Sequence, residues 1–351
     1  MGIDGDLLKR YTMATWGYKQ GEMVSLMIHL GVRLGLYQAL DGAGPVTSGD
    51  LAATTGLHER WLREWLRAQG AAELLVTEDG ETFELEREAA MVLAREDTPT
   101  YAAGVFSHLR DPRVADGLAG AFQTGLGLTY DGQGEGSEQH VEAMLAPMAR
   151  ALLVPSVIPA LDGVVDRLSA GAKVVDVGCG TGLAIELLAA AWPNCTFEGY
   201  DVSERAVLVA RDRFDGVDNV AVHLAGGEDV PPTADVDLMM TLDCLHDMPR
   251  PDLAMGAIRQ AIAPDGTWLV KEIKSSPDWS GNLKNPMLAM MYSTSVASCM
   301  SSAMSSADGL GLGTLGMNPA VLESMVTEAG FTRFAMHDLD DPTNLYYEVR
   351  P

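Results

Sequence analysis

The chain has 351 residues, of which 47% are hydrophobic and 21% charged; that length points to two domains and that composition to a globular protein. Its 24 Lys and Arg stand against 49 Asp and Glu, a net charge of −25, and such a surface repels a polyphosphate, which argues against nucleic acid and an anionic membrane as partners. No apolar stretch approaches the roughly 20 residues that span a bilayer, and the start, MGIDGDLLKRYT, has no basic segment followed by an apolar run, so it does not read as a signal peptide.

Residues 8–41 read as helical, with Met23, Leu26, Met27, Leu30 and Leu34 spaced by three or four. The segment is apolar on more than one face, so it is either buried in its own domain or covered by another chain. Pro45-Val46-Thr47 then leads into a short helix, capped by Thr47 or Ser48 and stopped by Gly56. A second helix, HERWLREWLRAQG, carries an apolar stripe of Trp61, Leu62, Trp65 and Leu66. AELLV and TFEL follow, joined by Glu78-Asp79-Gly80, and read as a two-stranded wing. This is a winged helix-turn-helix. Arg60 and Arg63 are flanked by Glu59 and Glu64, and with the acidic balance the module reads as a packing and dimerisation unit.

Residues 97–165 are mostly helical and contain a Gly-rich loop at 125–137, suited to a flap or to close ligand approach. After Leu168, strand-like and helical runs alternate, which implies a parallel sheet covered on both faces. The chain closes with one more helix and two strands, FTRFAMHDL and NLYYEVR, and a Met- and Ser-rich insertion at 274–316 lies before that helix. The organisation is therefore a helical and winged-helix domain over 1–96, a helical linker and flap over 97–165, and an α/β domain over 166–351. The four cysteines, Cys179, Cys195, Cys244 and Cys299, form no CxxC pair and have no zinc-type spacing to a His, so they read as free thiols of a reducing cytoplasm and no metal site is expected. The 19 Met suggest an adaptable interior and an apolar pocket.

The first strand of the α/β region runs Val174-Val175-Asp176-Val177 and opens into Gly178-Cys179-Gly180-Thr181-Gly182. Such a turn lets backbone approach a ligand at the carboxyl edge of the sheet. It is only a partial match to the dinucleotide pattern, and Asp176 would repel a pyrophosphate but suit a cation. Asp201 closes the second strand, about 20 residues after the glycines, where an acidic group takes ribose hydroxyls. Together VVDVGCGTG and GYD resemble the class I S-adenosylmethionine-dependent methyltransferases over 165–351, and the upstream winged helix resembles that of actinobacterial small-molecule methyltransferases and plant-type O-methyltransferases. That resemblance also rests on LTYDGQG, LHDM, the stretch from Tyr292 to Gly313, and NLYYEVRP. It implies a Rossmann-like sheet of seven strands with an antiparallel last strand, S-adenosylmethionine as cofactor, a small-molecule acceptor and a homodimer. It implies cofactor contacts at Tyr130, Asp176, Gly178, Cys179, Gly180, Gly182, Asp201, Val202, Gly227, Glu228, Thr241 and Leu242. Where the family often has an acidic residue after the third strand this chain has Gly226, so adenine recognition shifts to Glu228, Asp229 or backbone amides.

The fourth strand leads into Leu245-His246-Asp247-Met248, and in the winged-helix O-methyltransferases a His-Asp pair here carries the base. Imidazole titrates near neutrality and can take a proton as an alcohol oxygen attacks. His246 is therefore the candidate catalytic residue. The plant-type Glu that orients the base is missing from Gly313-Thr314-Leu315-Gly316-Met317. Candidate acceptor contacts are Phe106, His108, Asp247, Met287, Met291 and Tyr292. The scarcity of Lys and Arg around 286–305 favours a neutral, largely apolar acceptor. Transfer to nitrogen or carbon without a base, a dinucleotide oxidoreductase, and a ligand-sensing regulator remain alternatives.

Overall fold

The structure, a computed structural model, describes residues 2–351, so Met1 of the expected first domain lies outside the described residues. The chain divides into two compact units. One comprises residues up to Leu109 with Ala143–Met148, and the other Arg110–Glu142 with Ala149–Pro351. The break at Leu109 differs from the expected boundaries at 96 and 165, because residues 97–109 fold back onto the first unit and much of 110–165 counts with the sheet.

In the first unit Asp4 caps a long helix, Gly5–Arg33, by accepting from the N–H groups of Asp6 and Leu7 at 2.9 and 3.1 Å. The single helix expected to residue 41 is broken instead: Gly35 adopts φ 66°, open to glycine without steric cost, and a second helix runs Leu36–Leu40. Only the far end of the long helix is buried, at Ile28, His29 and Gly31. Leu7, Leu8, Tyr11, Met13, Trp16, Tyr18 and Met23 are all exposed on this chain. Thr47 forms a capping box with Asp50 on the helix Ser48–Thr55, which Gly56 ends, and His58 caps the helix Glu59–Ala71. Leu62, Trp65 and Leu66 of that helix enter a core with Tyr37, Leu51 and Phe83, but Trp61 is 79% exposed, contrary to the expected stripe. The expected wing is reduced to one antiparallel bridge, Val76 to Glu84. Strand β2 (Thr82–Phe83) pairs instead with β1 (Val46–Thr47).

The second unit holds seven strands: β3 (Lys173–Val177), β4 (Thr196–Asp201), β5 (Val220–Leu224), β6 (Val236–Leu242), β7 (Ile262–Ile273), β8 (Arg333–His337) and β9 (Asn344–Arg350), in the order β5-β4-β3-β6-β7-β9-β8. Strand β9 runs antiparallel to both neighbours and the other pairings are parallel. Hydrophobic clusters cover both faces, one around Met239, Trp268 and Tyr347, the other around Val174, Ile185 and Leu269. The order reverses beside β3, so the C-terminal ends of β3, β4 and β6 open a crevice at the switch point, where ligands of such sheets bind. One expectation fails on length: the continuous helical run Ser137–Ala160, 24 residues of mean hydropathy 1.5, is long and apolar enough to cross a membrane. It carries Glu138, Glu142 and Arg150, and its Leu153, Val157 and Ile158 lie in the second unit's core.

Candidate active site

The glycine turn after β3 is pinned to β4. The N–H groups of Gly178 and Cys179 donate to the Tyr200 carbonyl at 2.8 and 3.1 Å, and the Gly180 N–H donates to Asp201 Oδ2 at 2.8 Å. The other Asp201 oxygen accepts from the Ser203 N–H at 2.8 Å, and Ser203 caps the following helix. The glycines are not equivalent. A Cβ on Gly178 would meet Cys244 and one on Gly182 would meet Phe214, whereas Gly180, at φ +54°, faces open space. Asp176 is 2% exposed, and its Oδ1 is buried without a hydrogen-bond partner. Burial, and then the nearby Asp201 charge, push its pKa up to about 8. Burial also raises Asp201. An open cradle beside an orphaned carboxylate oxygen fits a ligand that brings a cationic donor.

Across the crevice Asp243, at φ +57°, turns the chain sharply after β6. Its carboxylate accepts from Lys271 Nζ and Asn344 Nδ2, and its N–H donates to the Lys271 carbonyl at 2.8 Å. The turn delivers the 3₁₀ segment Leu245–Asp247 over the end of β7, where Glu272 takes both free groups: the Leu245 N–H at 3.1 Å and His246 Nδ1 at 2.6 Å. His246 Nε2 lies 3.2 Å from Asp247 Oδ1, and Asp247 Oδ2 accepts from the Tyr130 hydroxyl. His246 is 1% exposed and Glu272 is fully buried. Burial alone would lower the imidazole's pKa, but the Asp247 and Glu272 carboxylates outweigh it and hold the value well above the ordinary one. Lying against this segment are the π-helical turn Ser295–Cys299 and the helix Met300–Ala303 of the insertion.

The Gly-rich flap is fastened at both ends. Asp131 accepts from the Ser203 hydroxyl at 2.6 Å and the Glu204 N–H at 3.0 Å, while Arg205 donates to the carbonyls of Gly134 and Asp131 at 2.6 and 2.8 Å. Toward the insertion, the Gly127 N–H donates to the Met304 carbonyl at 2.9 Å, the Leu128 N–H to Ser301 Oγ at 2.8 Å, and Ser298 Oγ to Gln133 Oε1 at 2.7 Å. Glu142 accepts from the Thr181 hydroxyl of the glycine turn and from Arg213 at 2.7 Å.

Residues 168–329 match a family model described as a methyltransferase domain, and residues 22–95 match one described as an Rv2258c-like winged HTH domain. The chain carries a winged-helix domain and a methyltransferase domain. Trans-aconitate 2-methyltransferase of Mycolicibacterium gilvum is 33% identical over 107 residues, which span 30% of this chain and 39% of that relative. The chain thus matches about two-fifths of that relative's length. Human N-acetylserotonin methyltransferase, solved with S-adenosylmethionine, superposes with a TM-score of 0.68 at 19% identity over 100% of this chain and 99% of that one. A mitomycin 7-O-methyltransferase superposes at 0.64 with 20% identity over 99% of each chain. These two likenesses show the fold.

Within the methyltransferase domain, Asp176, Gly178, Cys179, Gly180, Gly182 and Asp201 converge on one turn, and Val202 borders it, 68% exposed. The other residues expected near the donor have these surroundings. Thr241 spends its hydroxyl on the Trp268 indole N–H at 3.0 Å, so its side chain is not free. Gly227 is a packing glycine: a Cβ there would meet Val177 and Ala254. Glu228 is exposed, Leu242 is half-buried, and Asp229 caps its own turn by accepting from the Gly226 N–H at 3.0 Å. Tyr130, expected over the donor, has its hydroxyl on Asp247.

Among the expected acceptor residues, Phe106 and His108 belong to the first unit, where Phe106 packs against that unit's core. The His246 constellation is built wholly from the second. Met287 and Tyr292 are 47% and 41% exposed, with the Tyr292 ring tilted against Trp279, while Met291 is half-buried. The insertion buries Leu288, Ser295 and Cys299 instead. Sequence reasoning missed Glu272, which supplies the orienting carboxylate absent from 313–317. Its signal was available: Lys271-Glu272 are two charges directly after the apolar run Trp268-Leu269-Val270 of a central strand. It also missed Cys299, which the fold sets beside His246 and Asp247, so the absence of zinc-type spacing said nothing about proximity.

Proposed function

We propose that the chain transfers a methyl group from S-adenosylmethionine to an oxygen of a small, largely apolar molecule, with His246 accepting the hydroxyl proton. The observation that carries this reading is His246, aligned by Glu272 and facing Asp247, across the same crevice as the Asp176–Gly180–Asp201 cradle. Asp176 Oδ1 and the open face of Gly180 would take the methionine ammonium and its chain, and Asp201 the ribose, with lone pairs beyond those spent on Gly180 and Ser203. When bound, the cofactor supplies an electrophilic methyl group on a sulfonium. The chain's own work is to align the acceptor oxygen with that methyl, which provides much of the rate, and to take its proton at Nε2. Glu272 holds the ring through Nδ1 and stabilises the imidazolium that forms. Tyr130 steadies Asp247.

Four free cysteines suit a reducing cytoplasm. Arg60 and Arg63 are each paired with a Glu one helical turn away, at 2.7 and 2.8 Å, which supports a winged helix that does not read DNA. The exposed apolar residues of Gly5–Arg33 support burial of that helix in a homodimer. The deciding experiment incubates the chain with methyl-labelled donor and a panel of phenols, amines and carboxylates. Label on a phenol oxygen, lost in His246→Ala while donor affinity holds, is the expected result. Label on an amine, unaffected by His246→Ala, would overturn it.

A further inference from the structure

We propose that His246 Nε2, Asp247 Oδ1 and Cys299 Sγ form a binding site for a divalent transition metal of the zinc class. One ligand atom from each residue lies within 4.8 Å of those of the other two, and all three residues are buried. His246 Nε2 and Asp247 Oδ1 are 3.2 Å apart, yet Oδ1 makes no aligned hydrogen bond. Two atoms that close without a hydrogen bond between them are what a shared third atom requires. Zinc bonds of about 2.0–2.3 Å place tetrahedral ligands roughly 3.3–3.7 Å apart, so the nitrogen and oxygen already stand at an edge of that tetrahedron. Cys299 Sγ lies within 4.8 Å of a ring nitrogen and a carboxylate oxygen of that pair. It sits on a π-helical turn, a local irregularity frequent at functional sites.

The outer contacts of each ligand agree. A metal-bound imidazole donates its other N–H to a carboxylate, and here Nδ1 meets Glu272 at 2.6 Å. A metal-bound carboxylate is held by its second oxygen, and here the Tyr130 hydroxyl donates to Asp247 Oδ2. The donor set of one nitrogen, one oxygen and one sulfur selects zinc-class ions over magnesium or calcium, which take oxygen. Three protein ligands leave a fourth position for water or an acceptor heteroatom. Binding leaves zinc's oxidation state unchanged and releases to solvent the Cys299 thiol proton and any proton on Nε2.

The site goes beyond the proposed methyl transfer and acts against it. Zinc takes the Nε2 lone pair that proton transfer needs, so bound metal and a free base exclude each other. Cobalt titration of the whole chain tests the site without donor or acceptor, so it reads out whatever the methylation experiment finds. The expected result is one equivalent of cobalt with the intense visible bands of four-coordinate geometry and a thiolate-to-cobalt band in the near ultraviolet, both displaced by zinc. Cys299→Ser loses the ultraviolet band and weakens zinc tenfold or more, while Cys244→Ser keeps both. If Cys299→Ser does not fold, zinc-edge X-ray absorption on the unmodified chain counts the neighbours: one sulfur among four supports the site, and none overturns it. No cobalt spectrum, or a thiolate band that survives in Cys299→Ser, also overturns it. A methylation rate unchanged with zinc bound overturns the exclusion.

Discussion

Asp176 offers the sharpest test of the donor cradle, because its environment turns stability into a pH measurement. The carboxyl is buried, Oδ1 has no partner, and its pKa stands at about 8, against roughly 3.9 in an unfolded chain. Between those values the folded state keeps a proton that the unfolded state has lost. The unfolded state then binds fewer protons, so stability falls as pH rises, by about 1.4 kcal/mol per unit for one group. Asp176→Asn removes this dependence and keeps the shape. Urea unfolding from about pH 5.5 to about pH 7.5 should therefore show the unmodified chain losing roughly 2.5 kcal/mol relative to the variant. Calorimetry of donor binding supplies the complementary result. An ammonium beside Oδ1 favours the ionised carboxyl, so binding near pH 6 releases about one proton, and the variant releases none. Parallel stability curves, or equal proton release in both proteins, would refute the assignment.

The remaining perturbations divide between donor and acceptor. Asp201→Ala loses a charged anchor of both ribose and the glycine turn, and calorimetry should show donor affinity down at least tenfold, from a loss of roughly 1.5–3 kcal/mol. Gly180→Val adds a side chain where the backbone faces open space at φ +54°, and its crystals soaked with donor should show an empty cradle. His246→Ala should slow transfer by roughly 10²–10⁴-fold with donor affinity unchanged. Glu272→Gln removes one of the two carboxylates that raise the imidazole, so the rising limb of the pH–rate profile should move to lower pH; an unmoved limb would remove Glu272 from that role. Light scattering should report twice the chain mass of 37.4 kDa, and Trp16→Glu on the exposed helix should shift it toward the monomer.

The sheet was legible because its strands are apolar runs bounded by glycine and acidic turns, and VVDVGCGTG with GYD marks both strand ends of the cradle. The donor half of the site follows from those two ends, since their side chains are placed by strand register. The acceptor half depends on how separate loops lie across the sheet, which periodicity does not encode. Met287 and Met291 have the side-chain chemistry of an apolar pocket, but the fold leaves Met287 exposed and buries Cys299. Trp61 met the helical spacing of its neighbours, yet a position between Arg60 and Leu62 can face either way, and it faces water. The helix break at Gly35 and the shrunken wing were missed for a different reason. Each depends on a backbone choice within two residues, Gly35 at positive φ and Thr82–Phe83 pairing with Val46–Thr47.

Tyr130 and Asp131 are consecutive, and they grip opposite banks of the crevice. Tyr130 holds Asp247 on the acceptor side, and Asp131 holds Ser203 and Glu204 at the start of the donor helix. One peptide unit therefore spans both half-sites, and lifting it frees both at once. Under the proposed methyl transfer such a joint makes one gate for two ligands, so spent donor and methylated product are expected to leave in a single release event.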